Sequence, residues 1–289
     1  MGRVHRRTLV LGLGAAALAG CSAPAEKPAP SVSASPAPTP ASRRAPAQQF
    51  PVGTRRLALR RGADRPLATT IWAPKGDGPF PLILFSHGLT ANPGSYADLL
   101  RSWARAGFVV AAPAYPHTSG ESGELNVLDV LNQPADASYV ITEVLAELTN
   151  VDTGRVAAAG HSAGGITTIG MFSNARDHRL VAGVVLAGRQ VLASPFTGVE
   201  APLLFVHGQR DKVVGYGDGR AAYEAVPWPK ALLSVTRGGH IATGAAFGVV
   251  AATTTDFWRW SLYGDTAARE RLRTDATRGG VATLDDKLH

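Results

Sequence analysis

Val156-Ala157-Ala158-Ala159-Gly160-His161-Ser162-Ala163-Gly164-Gly165 is the stretch from which the rest of the chain can be read. Val156–Gly160 has the apolar run of a short buried strand, and Ala163–Ser173 reads as an apolar helix. Between them, Gly160-His161-Ser162-Ala163-Gly164 matches G-x-S-x-G in the setting that gives the string meaning, with a strand before it and a helix after. The constraint is steric. A turn this tight leaves no room for side chains at the flanking glycines, and the serine stands exposed at the strand tip. The helix N-terminus beneath it favours negative charge developing there.

Outward from this turn, β-rich runs alternate with helical patterns. Strands are predicted at Arg56–Arg60, Thr69–Trp72, Leu82–Ser86, Val109–Pro113, Val156–Gly160, Val181–Ala187, Leu203–His207 and Leu232–Thr236. The later ones are nearly continuous apolar runs, as expected of parallel strands covered on both faces. Helices are predicted at Tyr96–Ala106, Ala135–Thr149, Ala163–Ser173, Gly219–Ala225 and Phe247–Leu262. In the second, Ala137, Val140, Ile141, Val144, Leu145 and Leu148 share one face. The alternation predicts an α/β fold with a mostly parallel sheet of roughly eight strands and helices on both faces. No internal repeat is present. In such sheets ligand sites lie outside the carboxyl ends of the strands.

A serine hydroxyl needs a base, normally a histidine oriented by a carboxylate. After a G-x-S-x-G turn the expected chain order is serine, acid, histidine. Four histidines follow Ser162. His178 lies in a polar turn and His289 is the last residue. His207 ends a strand and reads as a packed or hydrogen-bonded core residue. His240, in Arg237-Gly238-Gly239-His240, follows the last predicted strand in a glycine turn able to reach the serine, and is the candidate general base. The candidate acid is Asp211, in His207-Gly208-Gln209-Arg210-Asp211. Asp218 is the alternative, but reads as the N-cap of the Gly219–Ala225 helix. Two backbone N–H groups are candidates for an oxyanion hole. One is that of Ala163, after the nucleophile. The other is that of Leu89, in the loop Ser86-His87-Gly88-Leu89-Thr90. His87 also reads as a structural histidine of that turn.

The chain has 289 residues and a formal net charge of +7, with a pI near 9.9. The basic excess is local. Residues 1–49 hold Arg3, Arg6, Arg7, Lys27, Arg43 and Arg44 against Glu26, and the rest of the chain is left at +2. No concentrated basic face of the kind that neutralises phosphates is legible there, so nucleic acid is not expected as a partner. Hydrophobic residues at 45% exclude disorder for most of the chain, and a single cysteine excludes an intrachain disulfide and a Cys-rich zinc site.

That cysteine, Cys21, ends the run Leu18-Ala19-Gly20-Cys21. Before it come Arg6-Arg7 and the apolar Leu9–Ala19, too short to cross a bilayer of about 30 Å as a helix. The order of basic, apolar and small residues predicts a signal peptide over 1–20. The terminal run resembles a bacterial lipobox, which implies lipidation of Cys21 and anchoring at the outer face of the cell membrane. Arg6-Arg7 fits a twin-arginine or a general secretory route. Residues 22–49 hold seven Pro, eight Ala and five Ser with no aromatic residue, so 21–49 is expected to be a tether behind a catalytic domain at 50–289.

Leu84-Phe85-Ser86-His87-Gly88-Leu89-Thr90-Ala91, the Ser162 turn, the Asp211 turn, Gly239-His240 and Trp258–Thr266 together resemble the α/β-hydrolase superfamily, across nearly all of 50–289. Within it the chain is most similar to secreted bacterial ester hydrolases of the polyesterase/cutinase and platelet-activating-factor-acetylhydrolase-like group, and in outline to dienelactone-hydrolase-like proteins. The resemblance implies a serine esterase that needs no metal or other cofactor and acts on a small-molecule or lipid-like ester. It also implies Leu89 and Ala163 as oxyanion residues. The departures are specific. Ser162 stands where dienelactone hydrolases carry cysteine. The C-terminal disulfide common in polyesterases is missing, and Ala163 replaces the Met often found after the nucleophile, which argues against polymer cleavage. Only the segment Gly188–Ala201 joins two late strands where lids are often inserted, so no large cap domain is expected. Leu89, Ala163 and Phe196 are expected to form the apolar wall of an open site, with ordinary packing as the alternative reading of Phe196. Two other functions fit the same residues: an acyltransferase passing the acyl group to an alcohol, and a non-catalytic binding lipoprotein on a hydrolase scaffold.

Overall fold

The computed structural model describes residues 44–289. The expected signal peptide, Cys21 and most of the tether lie outside them. In chain order the elements are β1 (Val52–Arg61), β2 (Arg65–Pro74), β3 (Phe80–Ser86), α1 (Ala97–Arg105), β4 (Val109–Pro113), α2 (Gln133–Glu147), β5 (Val151–His161), α3 (Ala163–Phe172) and β6 (Leu180–Leu186). They continue with β7 (Leu203–Gly208), α4 (Tyr216–Ala225), β8 (Lys230–Val235), α5 (Gly244–Tyr263), α6 (Thr266–Ala276) and β9 (Ala282–Lys287). One sheet takes all nine strands in the order β1-β2-β4-β3-β5-β6-β7-β8-β9. The six strands from β4 to β8 in that order run parallel, while β1, β2 and β9 are antiparallel additions at the edges.

The period of two along each strand builds two cores. Ile83, Phe85, Val110, Val184 and Leu204 face α1, α5 and α6, where Leu100, Trp103, Phe257, Trp258 and Leu272 cover them. Leu82, Leu84, Val109, Val185 and Phe205 face α2, α3 and α4, covered by Val140, Ile141, Val144, Phe172 and Tyr223. All seven residues of β3 and all five of β4 are buried, which explains why these strands read as unbroken apolar runs. Trp103 and Trp258 meet edge to face at 5.7 Å, and the Trp103 indole N–H donates to Thr254 Oγ1 at 3.0 Å. Such an aromatic pair adds about 1 kcal/mol beyond the area it buries. This is an α/β-hydrolase fold, with helices on both faces of a mixed sheet and, among the described residues, no cap domain.

The expected sheet of roughly eight mostly parallel strands is present, with nine strands among the described residues because β9 adds to the edge of β8. Two expectations need correction. A sixth helix, α6, follows α5. The helix after β7 begins at Tyr216 with Gly215 as its cap residue, so Asp218 lies inside the first turn and is not the N-cap. The end of the expected tether packs on the domain: Arg259 donates to the Pro46 carbonyl at 2.9 Å. Among the described residues no helix is long and apolar enough to cross a membrane.

Because β3, β5, β7 and β8 run parallel, their carboxyl ends bring the loops starting at His87, Ser162, Gln209 and Thr236 to one edge of the sheet. The candidate residues stand there.

Candidate active site

Ser162 links β5 to α3 with φ 57° and ψ −117°, a backbone state that non-glycine residues occupy only when their surroundings impose it. The glycines supply the imposition. A Cβ on Gly160 would lie 2.1 Å from the Gly164 carbonyl oxygen, and one on Gly164 would lie 1.9 Å from the Ser86 oxygen. The Ser162 N–H is held by the Leu186 carbonyl at 2.9 Å. Ala163 opens α3, so its N–H belongs to the first turn, whose amides have no carbonyl four residues back within the helix.

The loop after β3 lies against this turn. A Cβ on Gly88 would be 3.3 Å from the Ser162 Cβ. The Gly88 N–H is taken up by the Tyr96 hydroxyl at 3.0 Å, whereas the Leu89 N–H has no acceptor among the described residues. His87 is buried beneath the loop. Its Nε2 accepts the Tyr115 N–H at 3.1 Å, so Nδ1 is the protonated atom and donates to the Gly88 carbonyl at 2.8 Å. Burial holds its pKa below the usual histidine value. The structural reading of His87 is therefore correct.

His240 Nδ1 stands 2.8 Å from Asp211 Oδ2. The other carboxylate oxygen accepts the Val213 and Val214 N–H groups at 2.8 and 3.0 Å. Burial alone would raise the Asp211 pKa, but the bonds from His240 and from these two amides outweigh it and hold the group below the usual carboxylate range. His207 is the packed residue that its strand position suggested. Its Nε2 donates to the Val214 carbonyl at 2.9 Å, and α4 lies so close that a Cβ on Gly219 would be 2.1 Å from its ring.

Ser162, His240 and Leu89 line one cleft of about 720 Å³. Its apolar walls are Leu99, Leu186, Val206, Val235, Phe247 and Val250, the last two from α5. The Ser162 hydroxyl makes no hydrogen bond to His240 in this conformation. Catalytic contacts of this kind commonly tighten only when substrate is bound. Phe196 does not line the cleft. Its ring packs in the core on the other face of the sheet, 5.8 Å from the ring of Trp228, and is 7% exposed. The wall expected from Phe196 is supplied instead by α1 and α5. Sequence reasoning missed Tyr96, Phe247 and Val250. The only local signal for Tyr96 is that it ends the Asn92-Pro93-Gly94-Ser95 turn, where Asn92 caps the start of the helical segment. Among the described residues no three His, Cys, Asp or Glu side chains gather as metal ligands.

Comparison with known proteins gives esterase-type relatives. The chlorophyllase family model matches residues 47–186, a span that includes the Gly88-Leu89 loop and the Ser162 turn and stops before Asp211 and His240. The chain is 26% identical over 189 residues to "Putative esterase YitV" of Bacillus subtilis (strain 168), covering 50% of this chain and 74% of that protein. It is 27% identical over 197 residues to cutinase est2 of Thermobifida alba, 64% of this chain and 61% of that one. To the chloroplastic chlorophyllase-1 of Citrus sinensis it is 31% identical over 107 residues, 37% of this chain and 32% of that protein. Fold, cleft and relatives together support an α/β-hydrolase-type esterase.

Proposed function

We propose that the chain is a serine carboxylic-ester hydrolase working through Ser162, His240 and Asp211. The observation that carries this reading is that His240, paired with Asp211, lines the same cleft as the Ser162 turn. In the first half-reaction His240 Nε2 takes the Ser162 hydroxyl proton as Oγ adds to the ester carbonyl. The Leu89 and Ala163 N–H groups stabilise the oxyanion, a donor of this type being worth about 3 kcal/mol. The tetrahedral adduct breaks its bond to the alcohol oxygen, which leaves with the proton from His240. Water then adds to the acyl-serine, giving its proton to His240, and the acid departs as Oγ recovers that proton. Asp211 holds the imidazole tautomer and stabilises the imidazolium without taking the proton. The apolar walls suit an uncharged acyl group. A fluorophosphonate probe tests the reading: stoichiometric labelling at Ser162 is expected, and an unlabelled protein would contradict it.

We also propose that the protein is exported and tethered to the outer face of the cell membrane through a lipid on Cys21. Support comes from the order of basic, apolar and small residues ahead of that cysteine and from the Pro/Ala/Ser-rich segment after it. Fractionation of cells expressing Cys21→Ser checks this. The variant is expected to leave the membrane fraction, and retention there would refute the anchor.

A further inference from the structure

His161, between the glycine and the serine of the turn, ends β5 and is 8% exposed. Both of its ring nitrogens are engaged. Nε2 lies 2.8 Å from the main-chain carbonyl oxygen of His240, and Nδ1 lies 2.8 Å from the Tyr96 hydroxyl. A carbonyl oxygen only accepts, so Nε2 carries the proton and donates. Nδ1 of the neutral ring then accepts from the Tyr96 O–H, and the Tyr96 oxygen accepts the Gly88 N–H at 3.0 Å. A single directional chain thus runs from the Gly88-Leu89 loop across the serine turn to the backbone of His240. Burial, the largest cause, pushes the His161 pKa down to about 4. The ring therefore stays neutral beside His240, whose ring centroid is 4.7 Å away.

The loop that carries His240 is held up to Gly238, whose carbonyl accepts the Arg210 N–H at 2.9 Å, and Gly238 and Gly239 pack against Gly208; beyond that stem little fixes its main chain. It follows Gly238-Gly239, and a Cβ on Gly239 would meet nothing within 4 Å. From Gly239 to Ala242 the His161 bond is, among the described residues, the one hydrogen bond that ties a backbone group of the loop to the rest of the fold. The imidazole of His240 is then held from two sides, its side chain by Asp211 and its main chain by His161. Among the described residues its Nε2 has no hydrogen-bond partner.

We propose that His161 is a positioning residue of the esterase site, which fixes the main chain of the general base His240 through its Nε2–H, with Tyr96 setting the tautomer that makes this donation possible. The inference rests on the Ser162–His240–Asp211 reading, because a positioned base matters only if the base is used.

The test compares His161→Leu with His161→Gln in the full chain, with wild type and Ser162→Ala as references and a short-chain p-nitrophenyl ester as substrate. The glutamine amide can donate where Nε2 donated, and the leucine cannot. His161→Leu is expected to lose on the order of 10–100-fold in kcat with KM little changed, because misplacing a catalytic group by an ångström costs about that much. His161→Gln is expected to stay within about 5-fold of wild type. Wild-type kcat in His161→Leu would overturn the proposal. So would equal losses in both variants, with or without a fall in Tm, since the donated bond would then not be what matters. If wild type itself fails to turn over the ester, or Ser162→Ala matches it, the esterase reading fails instead, and the two failures are distinguished.

Discussion

Asp211 grips His240 with one carboxylate oxygen, at 2.8 Å from Nδ1, and its own turn with the other, through the Val213 and Val214 amides. The two functions can be separated. In Asp211→Asn the amide oxygen can still accept the two N–H groups, so the fold is expected to survive. The imidazole, however, loses its anionic partner and its fixed tautomer. A fall in kcat on the order of 10³–10⁴ is expected with Tm within a few degrees of wild type. Asp218→Asn, inside the first turn of α4, is expected to leave ester turnover unchanged. Steady-state kinetics on both variants checks the assignment, and a larger loss from Asp218 than from Asp211 would reverse it.

The conformation of Ser162 depends on backbone surfaces that touch where glycine permits. Gly164→Ala would push a methyl to 1.9 Å from the Ser86 oxygen, a main-chain atom with nowhere to retreat. Overpacking of this kind is expected to cost about 3 kcal/mol or more. Gly239→Ala, on the loop beside His240 but with open space around its Cβ, is expected to cost far less. Urea unfolding of the two variants gives the comparison, and equal stabilities would contradict the packing argument.

Neutral burial of His161 makes stability depend on pH. Its folded-state pKa is about 4, against 6.5 for the ordinary group. Between these values the unfolded chain binds a proton that the folded chain does not. Stability from this residue is therefore complete above pH 6.5 and falls as the pH drops toward 4. The gap corresponds to about 3 kcal/mol. Asp256, whose pKa is raised to about 6 by burial and by Asp275, works in the opposite direction over much of the same range. The clean observable is consequently the difference between wild type and His161→Gln, in which Asp256 cancels. Denaturant melts from pH 7 to pH 4 are expected to show that difference shrinking as the pH falls, and a flat difference would show that His161 titrates normally in the fold.

The cleft walls set an expectation about substrate length. Val250, on α5, lines the cavity and is buried. Val250→Phe fills space that a longer acyl chain would use. The ratio of kcat/KM for p-nitrophenyl octanoate to that for the acetate is expected to fall by about 10-fold or more, since each displaced methylene in an apolar pocket is worth about 1–3 kcal/mol. An unchanged ratio would place the acyl chain elsewhere.

Much of this was legible in the chain because the signals are local. The Ser162 turn combines a strand, two obligatory glycines and a helix within a dozen residues. The parallel strands advertise their double burial as unbroken apolar runs. Asp211 and His240 follow from chain order once the serine is placed. What escaped lacks such a signature. β9 is an edge strand whose sequence, Ala282-Thr-Leu-Asp-Asp-Lys287, is half charged because one side needs no cover. α6 buries only Ala268, Leu272 and Ala276 among arginines and acids, too thin a stripe to announce a helix. Phe196 lies in the Gly188–Ala201 connection, where lids are often inserted, which suggests a site wall, but Trp228 offers its ring a dry partner that spacing does not reveal. Tyr96 acquires its place only when the fold brings it within 2.8 Å of His161, a residue 65 positions away.

The most direct test of the central claim is turnover of a short-chain p-nitrophenyl ester by wild type and Ser162→Ala, with thermal unfolding of both recorded alongside. Wild-type turnover that disappears in Ser162→Ala, at a nearly unchanged Tm, is the expected result. Activity retained in the alanine variant would remove Ser162 from the mechanism, and with it the proposed esterase.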